Sequence, residues 1–330
     1  MTAPFFIVGN DRSGTTMLRL ILDRGPDVAI PPESMFLTDV TLPGGDGGAW
    51  DEDAAQLLMQ RVWQHPKVRL WDLPGPAPRV PRGLSPEAAR RCVLAAPFEA
   101  YARRHGKLRW ADKTPHYVHH VDELLEIWPA ARFVVLVRDG RAVALSLRGM
   151  PFGPNNAWAA AQWWARGIRA GALAAERHPD QVRTVRYEDL VRDPAAEVSA
   201  LCAFLELRYC DEMLALEHGD RTKIVADQVG WFPTLFEGIS TRAVGRWERE
   251  MPLREQAVFA ALAAGELAEL GYPVPTPPAR GPPPWRADLY RRHNQLMRNV
   301  NFVRLRVFQE RGRELRVALR RRLHDPVGRG

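Results

Sequence analysis

The chain has 330 residues, 46% of them hydrophobic, enough to bury a sizeable core in one domain with an appendage. Its formal charge of +7 is unevenly spread: from Pro277 onward there are 14 arginines against 4 acidic residues, whereas residues 1–276 hold 32 basic against 35 acidic. A general nucleic-acid-binding surface is therefore not indicated for the body, and the positive charge belongs to an arginine-rich tail.

Few residues precede the first apolar run, too few for a secretory leader, and no apolar run reaches the roughly 18 residues of a membrane span, so a cytoplasmic chain is expected. Cys92, Cys202 and Cys210 form no metal-type cluster and read as reduced thiols.

Phe5-Phe6-Ile7-Val8 reads as a buried parallel strand, Gly9 to Gly14 as a turn, and Met17 to Arg24 as a helix with Met17, Leu18, Ile21 and Leu22 at apolar positions. Such a junction leaves N–H groups unpaired at the helix start, where the dipole and a nest of amides favour a phosphate. Gly9-x-x-x-x-Gly14-Thr15-Thr16 fits the P-loop frame G-x-x-x-x-G-K-S/T at every defined position except the lysine. That lysine reaches the β/γ-phosphates of a nucleoside triphosphate, so Thr15 in its place argues against ordinary ATP or GTP hydrolysis. Arg12, inside the loop, is the nearest cation.

Asp27 to Ile30 reads as a short second strand, stopped by Pro31-Pro32 and followed by Glu33. Ligands of α/β folds bind at the carboxyl edge of the sheet, so a carboxylate after a strand end can serve as a general base; a capping or surface role is the plain alternative. Residues 39–85, rich in Gly, Pro and Trp, read as an insertion over the sheet edge with a helix over Asp53–Gln64, serving either substrate recognition or only as a passive loop. Ser85-Pro86-Glu87 opens a helix that runs to Arg104.

Leu108 to Ala111 reads as a strand ending in Asp112-Lys113-Thr114-Pro115. His116, His119 and His120 share the spacing of one helix face, but no carboxylate or cysteine completes a ligand set, and no metal is expected. A helix over Val121–Trp128 leads to the strand Phe133–Val137, which runs into Arg138-Asp139-Gly140-Arg141, with Ser146 eight residues beyond Arg138 and Arg141 expected at the surface. Trp158, Trp163 and Trp164 lie on a helix to about Arg177 and read as core, with Trp158 as a candidate pocket wall.

Val182 to Leu190 contains Arg186-Tyr187-Glu188-Asp189-Leu190, a helix covers Ala195–Leu205, and Ser240 to Trp247 carries Arg246. After the proline-rich stretch 273–284, apolar Leu289, Leu296, Val300, Val303 and Val307 recur at helical spacing among arginines, with Gly312 as a break. This amphipathic basic tail has three readings: packing on the body or a second subunit, contact with an anionic membrane, or nucleic-acid binding.

Arg12-Ser13-Gly14-Thr15-Thr16, taken with the Phe133–Val137 strand, Arg138 and Ser146, resembles the two halves of the donor site in sulfotransferases that use 3′-phosphoadenosine 5′-phosphosulfate (PAPS). The resemblance covers most of the chain to Tyr272 in blocks, outside residues 39–107. It implies an α/β, P-loop-like domain over residues 1–275, with a central parallel sheet of about five strands flanked by helices. Residues 39–107 would form an acceptor-side insertion, and 276–330 the linker and basic helical tail. The implied reaction moves a sulfuryl group to an acceptor hydroxyl of a small molecule, carbohydrate or lipid, leaves adenosine 3′,5′-bisphosphate and needs no metal.

By the same resemblance, the backbone of Ser13, Gly14, Thr15 and Thr16 cradles the 5′-phosphosulfate. Arg138 and Ser146 grip the 3′-phosphate, where a guanidinium supplies charge-assisted bonds. Tyr187 lies near the nucleotide, and Arg246 closes over the 3′-phosphate, although Gly245-Arg246-Trp247 departs from the family's usual Gly-Lys-x-Gly. Arg12 and Lys113 stabilise charge building on the departing phosphate. Glu33-Ser34 resembles the context of the base in tyrosylprotein sulfotransferases and their bacterial relatives; His116 remains the alternative base, as cytosolic members use a histidine. A P-loop kinase acting on small molecules with ATP is the alternative function and would require Mg²⁺ and the missing lysine; a non-catalytic nucleotide-binding or membrane-tethering protein is the third.

Overall fold

The Phe5-Phe6-Ile7-Val8 run becomes the central strand of a parallel sheet in the computed structural model, which describes residues 3–39, 51–150, 152–219, 223, 235–275 and 281–323. The strands are β1 (Phe5–Gly9), β2 (Val28–Ala29), β3 (Arg109–Lys113), β4 (Arg132–Val137) and β5 (Val182–Arg186), in the order β2-β3-β1-β4-β5. Every pairing is parallel, and Ile7 stands opposite both Lys113 and Val134. A parallel sheet is buried on both faces, which is why β1 is apolar at successive positions rather than alternate ones.

The helices are α1 (Thr15–Arg24), α2 (Phe36–Asp39), α3 (Glu52–Gln64), α4 (Pro66–Arg69), α5 (Pro86–Arg104), α6 (Val121–Ile127), α7 (Gly140–Leu147), α8 (Ala157–Arg177), α9 (Tyr187–Arg192), α10 (Pro194–Leu205), α11 (Arg246–Glu250), α12 (Leu253–Glu269) and α13 (Pro284–Leu323). Their starts follow local chemistry. Ser85 Oγ accepts from the Ala88 N–H ahead of Pro86, and Asp51 and Asp193 cap α3 and α10 in the same way. On one sheet face Phe5, Ile7, Val134 and Leu136 pack with Leu18, Ile21 and Leu22 of α1 and Val198 and Leu201 of α10. On the other, Phe6 stacks on Phe133 with centroids 5.0 Å apart, and Trp110 stacks on Phe98 of α5 at 4.5 Å.

The Gly- and Pro-rich run 43–48 lies outside the described residues. Within the rest of that segment Trp71 packs against Phe98 with centroids 5.1 Å apart, and Ala55, Leu58, Met59 and Val62 of α3 are buried. Buried aromatic and aliphatic area gives this stretch a packed face.

The chain divides into two compact units, residues 1–138 with 167–244, and 139–166 with 245–330. Within the second unit Trp164 meets Phe259 of α12 at 5.7 Å. There too Arg141 is buried, not at the surface as expected. Its guanidinium pairs with Asp139 at 2.7 Å, donates to the Pro273 carbonyl and lies 3.6 Å from the Trp247 ring centroid. Charge pairing and cation–π contact together offset the desolvation of the guanidinium. The tail helix α13 passes through Gly312 without the expected break. No described helix is long and apolar enough to cross a membrane.

Candidate active site

The loop between β1 and α1 is shaped by two glycines in the left-handed range. Gly9 has φ 139°, and a Cβ there would stand 2.4 Å from the Leu136 carbonyl oxygen; Gly14, φ 98°, has Tyr187 Cδ2 at 2.5 Å from the same hypothetical atom. Only glycine fits either place. Arg12 between them also has positive φ, 68°. Gly14 is the N-cap of α1 and offers no side chain to its first turn. Ser13 Oγ is buried without a hydrogen-bond partner among the described residues.

Glu33 is held beside this loop by anchors on both sides. Before it, the Ile30 N–H donates to Asp23 Oδ1 at 2.8 Å, and the Ile30 carbonyl accepts from Arg19 Nη1 at 3.1 Å, both from buried side chains of α1. Arg19 Nη2 also donates to the Lys223 carbonyl, and the Lys223 ammonium pairs with Asp23. Pro31-Pro32 stiffens the next two residues. After it, the Ser34 N–H donates to Thr114 Oγ1 at 3.1 Å, Ser34 Oγ lies 3.0 Å from the Tyr117 hydroxyl, and that hydroxyl accepts from the Leu37 N–H. Thr114 follows β3 directly, so the second anchor sets Glu33 against Lys113.

Lys113 Nζ donates to Glu33 Oε1 at 2.5 Å and to Thr16 Oγ1 at 3.4 Å. The lysine side chain is 4% exposed and the glutamate 28%. Burial pushes the Glu33 carboxyl up, but the charge and hydrogen bond of Lys113, aided by Lys67 and Arg19, outweigh it and leave the group below its ordinary value. Asp11 moves the other way, to about 6, through burial and the nearby Glu33 charge. Burial depresses Arg12, with the Arg138 charge adding to it and Asp11 and Glu33 opposing.

Arg138 follows β4 and closes the far side of the loop. Its Nη1 donates to the Arg12 carbonyl at 3.0 Å, Nη2 to the Ala243 carbonyl at 3.3 Å, and its Cζ sits 4.3 Å from the Tyr187 ring centroid. Tyr187 opens α9, directly after β5 stops at Arg186. The first unit thus brings together Arg12, Ser13, Gly14, Thr15, Thr16, Glu33, Lys113, Arg138 and Tyr187. Ser146, half-buried on α7, and Arg246, in the first turn of α11 and paired with Glu250 at 3.2 Å, belong to the second unit. His116 is exposed on a short 3₁₀ helix that also holds His119 and is followed by His120, their rings 5.4 Å from its own. Trp158 faces α13, with Arg291 5.8 Å from its ring centroid.

Asp112, given no role by the sequence, stands next to Lys113 in β3, where alternation turns it to the opposite sheet face. Burial raises its carboxyl to about 7, with the Thr114 and Ser34 hydroxyls nearby opposing, although neither oxygen has a partner at hydrogen-bond distance among the described residues. An acid protonated more readily when folded than at its ordinary 3.8 loses stability as pH rises from about 4 to 7, by on the order of 4 kcal/mol at most. Asp112→Asn is expected to raise Tm at pH 8 and to leave it nearly unchanged at pH 4; equal shifts at both would show that Asp112 ionises normally.

The sequence model of the sulfotransferase family matches residues 4–211. Nodulation protein NoeE of Sinorhizobium fredii is 25% identical over 299 residues, covering 81% of this chain but 65% of that relative, less than two thirds of its length. Protein-tyrosine sulfotransferase 1 of Danio rerio is 26% identical over 297 residues, covering 84% of this chain and 75% of its own. Among solved structures, the sulfotransferase domain from the curacin biosynthetic pathway superposes with a TM-score of 0.54 at 20% identity, over 83% of this chain and 99% of that one. The corresponding domain of the Synechococcus PCC 7002 olefin synthase gives the same TM-score at 23% identity, over 83% and 98%. These likenesses agree on the five-stranded parallel fold, and the kinase alternative finds no support among them. A family match across more than half of its length, running through the β1–α1 loop, Glu33, Lys113 and Arg138, means that the chain belongs to the sulfotransferase family and is a transferase of sulfuryl groups.

Proposed function

We propose that the donor is PAPS, that the acceptor is a hydroxyl of a small molecule, carbohydrate or lipid, and that Glu33 is the general base. The observation carrying this reading is the Glu33–Lys113–Thr16 chain of contacts, which joins a carboxylate, a buried cation and the phosphate loop. The loop fits such a donor, because the buried and unbonded Ser13 Oγ, the uncapped first turn of α1 and the adjacent Arg12 are complementary to phosphate oxygens. When bound, PAPS would supply the sulfuryl group and leave as adenosine 3′,5′-bisphosphate.

The chain's own residues do the rest. Glu33 takes the acceptor proton on a carboxylate oxygen; among the described residues its second oxygen makes no hydrogen bond. Lys113 and Arg12 offset negative charge building on the phosphate side, and are most effective because they are held in position in a partly buried site. Arg138 serves the 3′-phosphate, the group that distinguishes this donor from ATP. Ser146, Tyr187 and Arg246 complete the nucleotide contacts in this reading.

Calorimetric titration in EDTA tests it. The bisphosphate is expected to bind wild type and ATP to bind far more weakly, and Arg138→Ala should weaken the bisphosphate about tenfold or more, the loss of a charged hydrogen-bonding group. ATP binding as well as the bisphosphate, or an unaffected Arg138→Ala, would remove PAPS as the donor.

A further inference from the structure

We infer that the exposed apolar stripe of α13, with the arginines beside it, is a surface that adsorbs to an anionic lipid bilayer. Trp285, Leu289, Leu296 and Val303 are 57–61% exposed and recur four or seven residues apart. At 3.6 residues per turn they form one line along the helix.

A different face of the same helix is already engaged within its unit. Asn294 Oδ1 accepts from the Asn155 N–H at 2.7 Å, the Tyr290 carbonyl accepts from Asn156 Nδ2 at 2.8 Å, and buried Asn301 donates to the Met150 carbonyl at 3.1 Å. Tyr290, Asn294 and Asn301 lie about 140° around the helix from the stripe. The docked face is polar and hydrogen-bonded, and the apolar one is turned away from it. That is the reverse of what burial against the protein's own body would produce.

Charge selects the occupant. Over its full length α13 has twelve arginines and three acidic residues. Arg286 and Arg304 flank the stripe on one side and Arg292 on the other, and Arg286 lies 4.9 Å from the Trp285 ring centroid. An apolar line bordered by arginines whose stems can lie along it is the composition of an interfacial helix on negatively charged lipid. A second copy fits less well. The seven-residue spacing of Leu289, Leu296 and Val303 could form a seam, but it would bring the flanking arginines of both copies together. The single acidic residue in 284–304, Asp288, is already paired with Arg291 at 3.0 Å. Nucleic acid would use the arginines and leave the aliphatic line without a partner. The inference does not depend on sulfuryl transfer, since none of these residues belongs to the site.

The test is sedimentation of the full chain with vesicles of equal parts phosphatidylglycerol and phosphatidylcholine, and with phosphatidylcholine alone. Wild type is expected to pellet with the first and stay in solution with the second. Leu289→Ser/Leu296→Ser/Val303→Ser, all at exposed positions, should lower the partition coefficient about tenfold or more. Arg286→Glu/Arg292→Glu/Arg304→Glu should abolish it, with circular dichroism and bisphosphate binding unchanged in both. Absence of pelleting with the anionic vesicles would overturn the inference, as would an unaffected serine variant. So would light scattering that finds a dimer dispersed by the serine substitutions, which would assign the stripe to a second copy.

Discussion

Replacing Glu33 with glutamine is expected to lower kcat by about 10²- to 10⁴-fold while adenosine 3′,5′-bisphosphate still binds within a few-fold of wild type. The amide keeps the shape and can still meet Lys113, but it takes no proton. Because Lys113 is buried and loses its counter-charge, Tm should fall as well, and retained bisphosphate binding separates loss of the base from loss of the fold. The pH profile gives the sign. A base works when deprotonated, and Lys113 holds Glu33 below its ordinary 4.5, so the acid limb of kcat/KM assigned to it should lie below 4.5. An inflection near pH 6 would belong to Asp11, and it should move down in Glu33→Gln because the neighbouring charge that raises it is gone. Turnover surviving Glu33→Gln but lost in His116→Ala would transfer the role to the histidine.

Asp23→Ala should be the most damaging change away from the reacting groups, costing about 3 kcal/mol by thermal unfolding. It strips the buried Ile30 N–H of its acceptor and the Lys223 ammonium of its partner, beside a guanidinium that remains buried. Asp23→Asn divides the two effects. It retains an oxygen for Ile30, so kcat should remain near wild type, whereas the lost charge on Lys223 should still lower Tm. In Asp23→Ala the segment leading to Glu33 loses one anchor, and kcat should fall about tenfold through misplacement. Equal kcat in the two variants would mean that the Ile30 contact has no part in positioning the base.

The strands and the loop were legible because their signals are local. A continuous apolar run, two glycines at a fixed interval and an arginine at a strand end need no knowledge of distant residues, and the same holds for Ser85 as a cap. The supports of Glu33 were less visible, although a trace existed: Arg19 and Asp23 stand at i, i+4 among Met17, Leu18, Leu20, Ile21 and Leu22, a spacing that lets opposite charges pair within an apolar stretch. Tyr117 and Thr114 gave no sign that they would bind Ser34 some eighty residues earlier. Arg141 was misread for a similar reason, since its partners Trp247 and Pro273 lie more than a hundred residues away and only Asp139 is near in sequence.

The strand order has a consequence for how this chain is made. β1 is synthesised first, yet its hydrogen-bonding neighbours are β3 and β4, which begin at residues 109 and 132. At about 5–20 residues per second, the Phe5–Val8 run waits on the order of ten seconds after leaving the ribosome before either edge can be covered. Long-range parallel pairing is slow to form, and such a run is prone to associate with other chains in the interval. Nascent chains arrested with β1 outside the ribosome and β3 still inside it should therefore aggregate or recruit a chaperone, whereas arrest after β5 has emerged should allow the sheet to close.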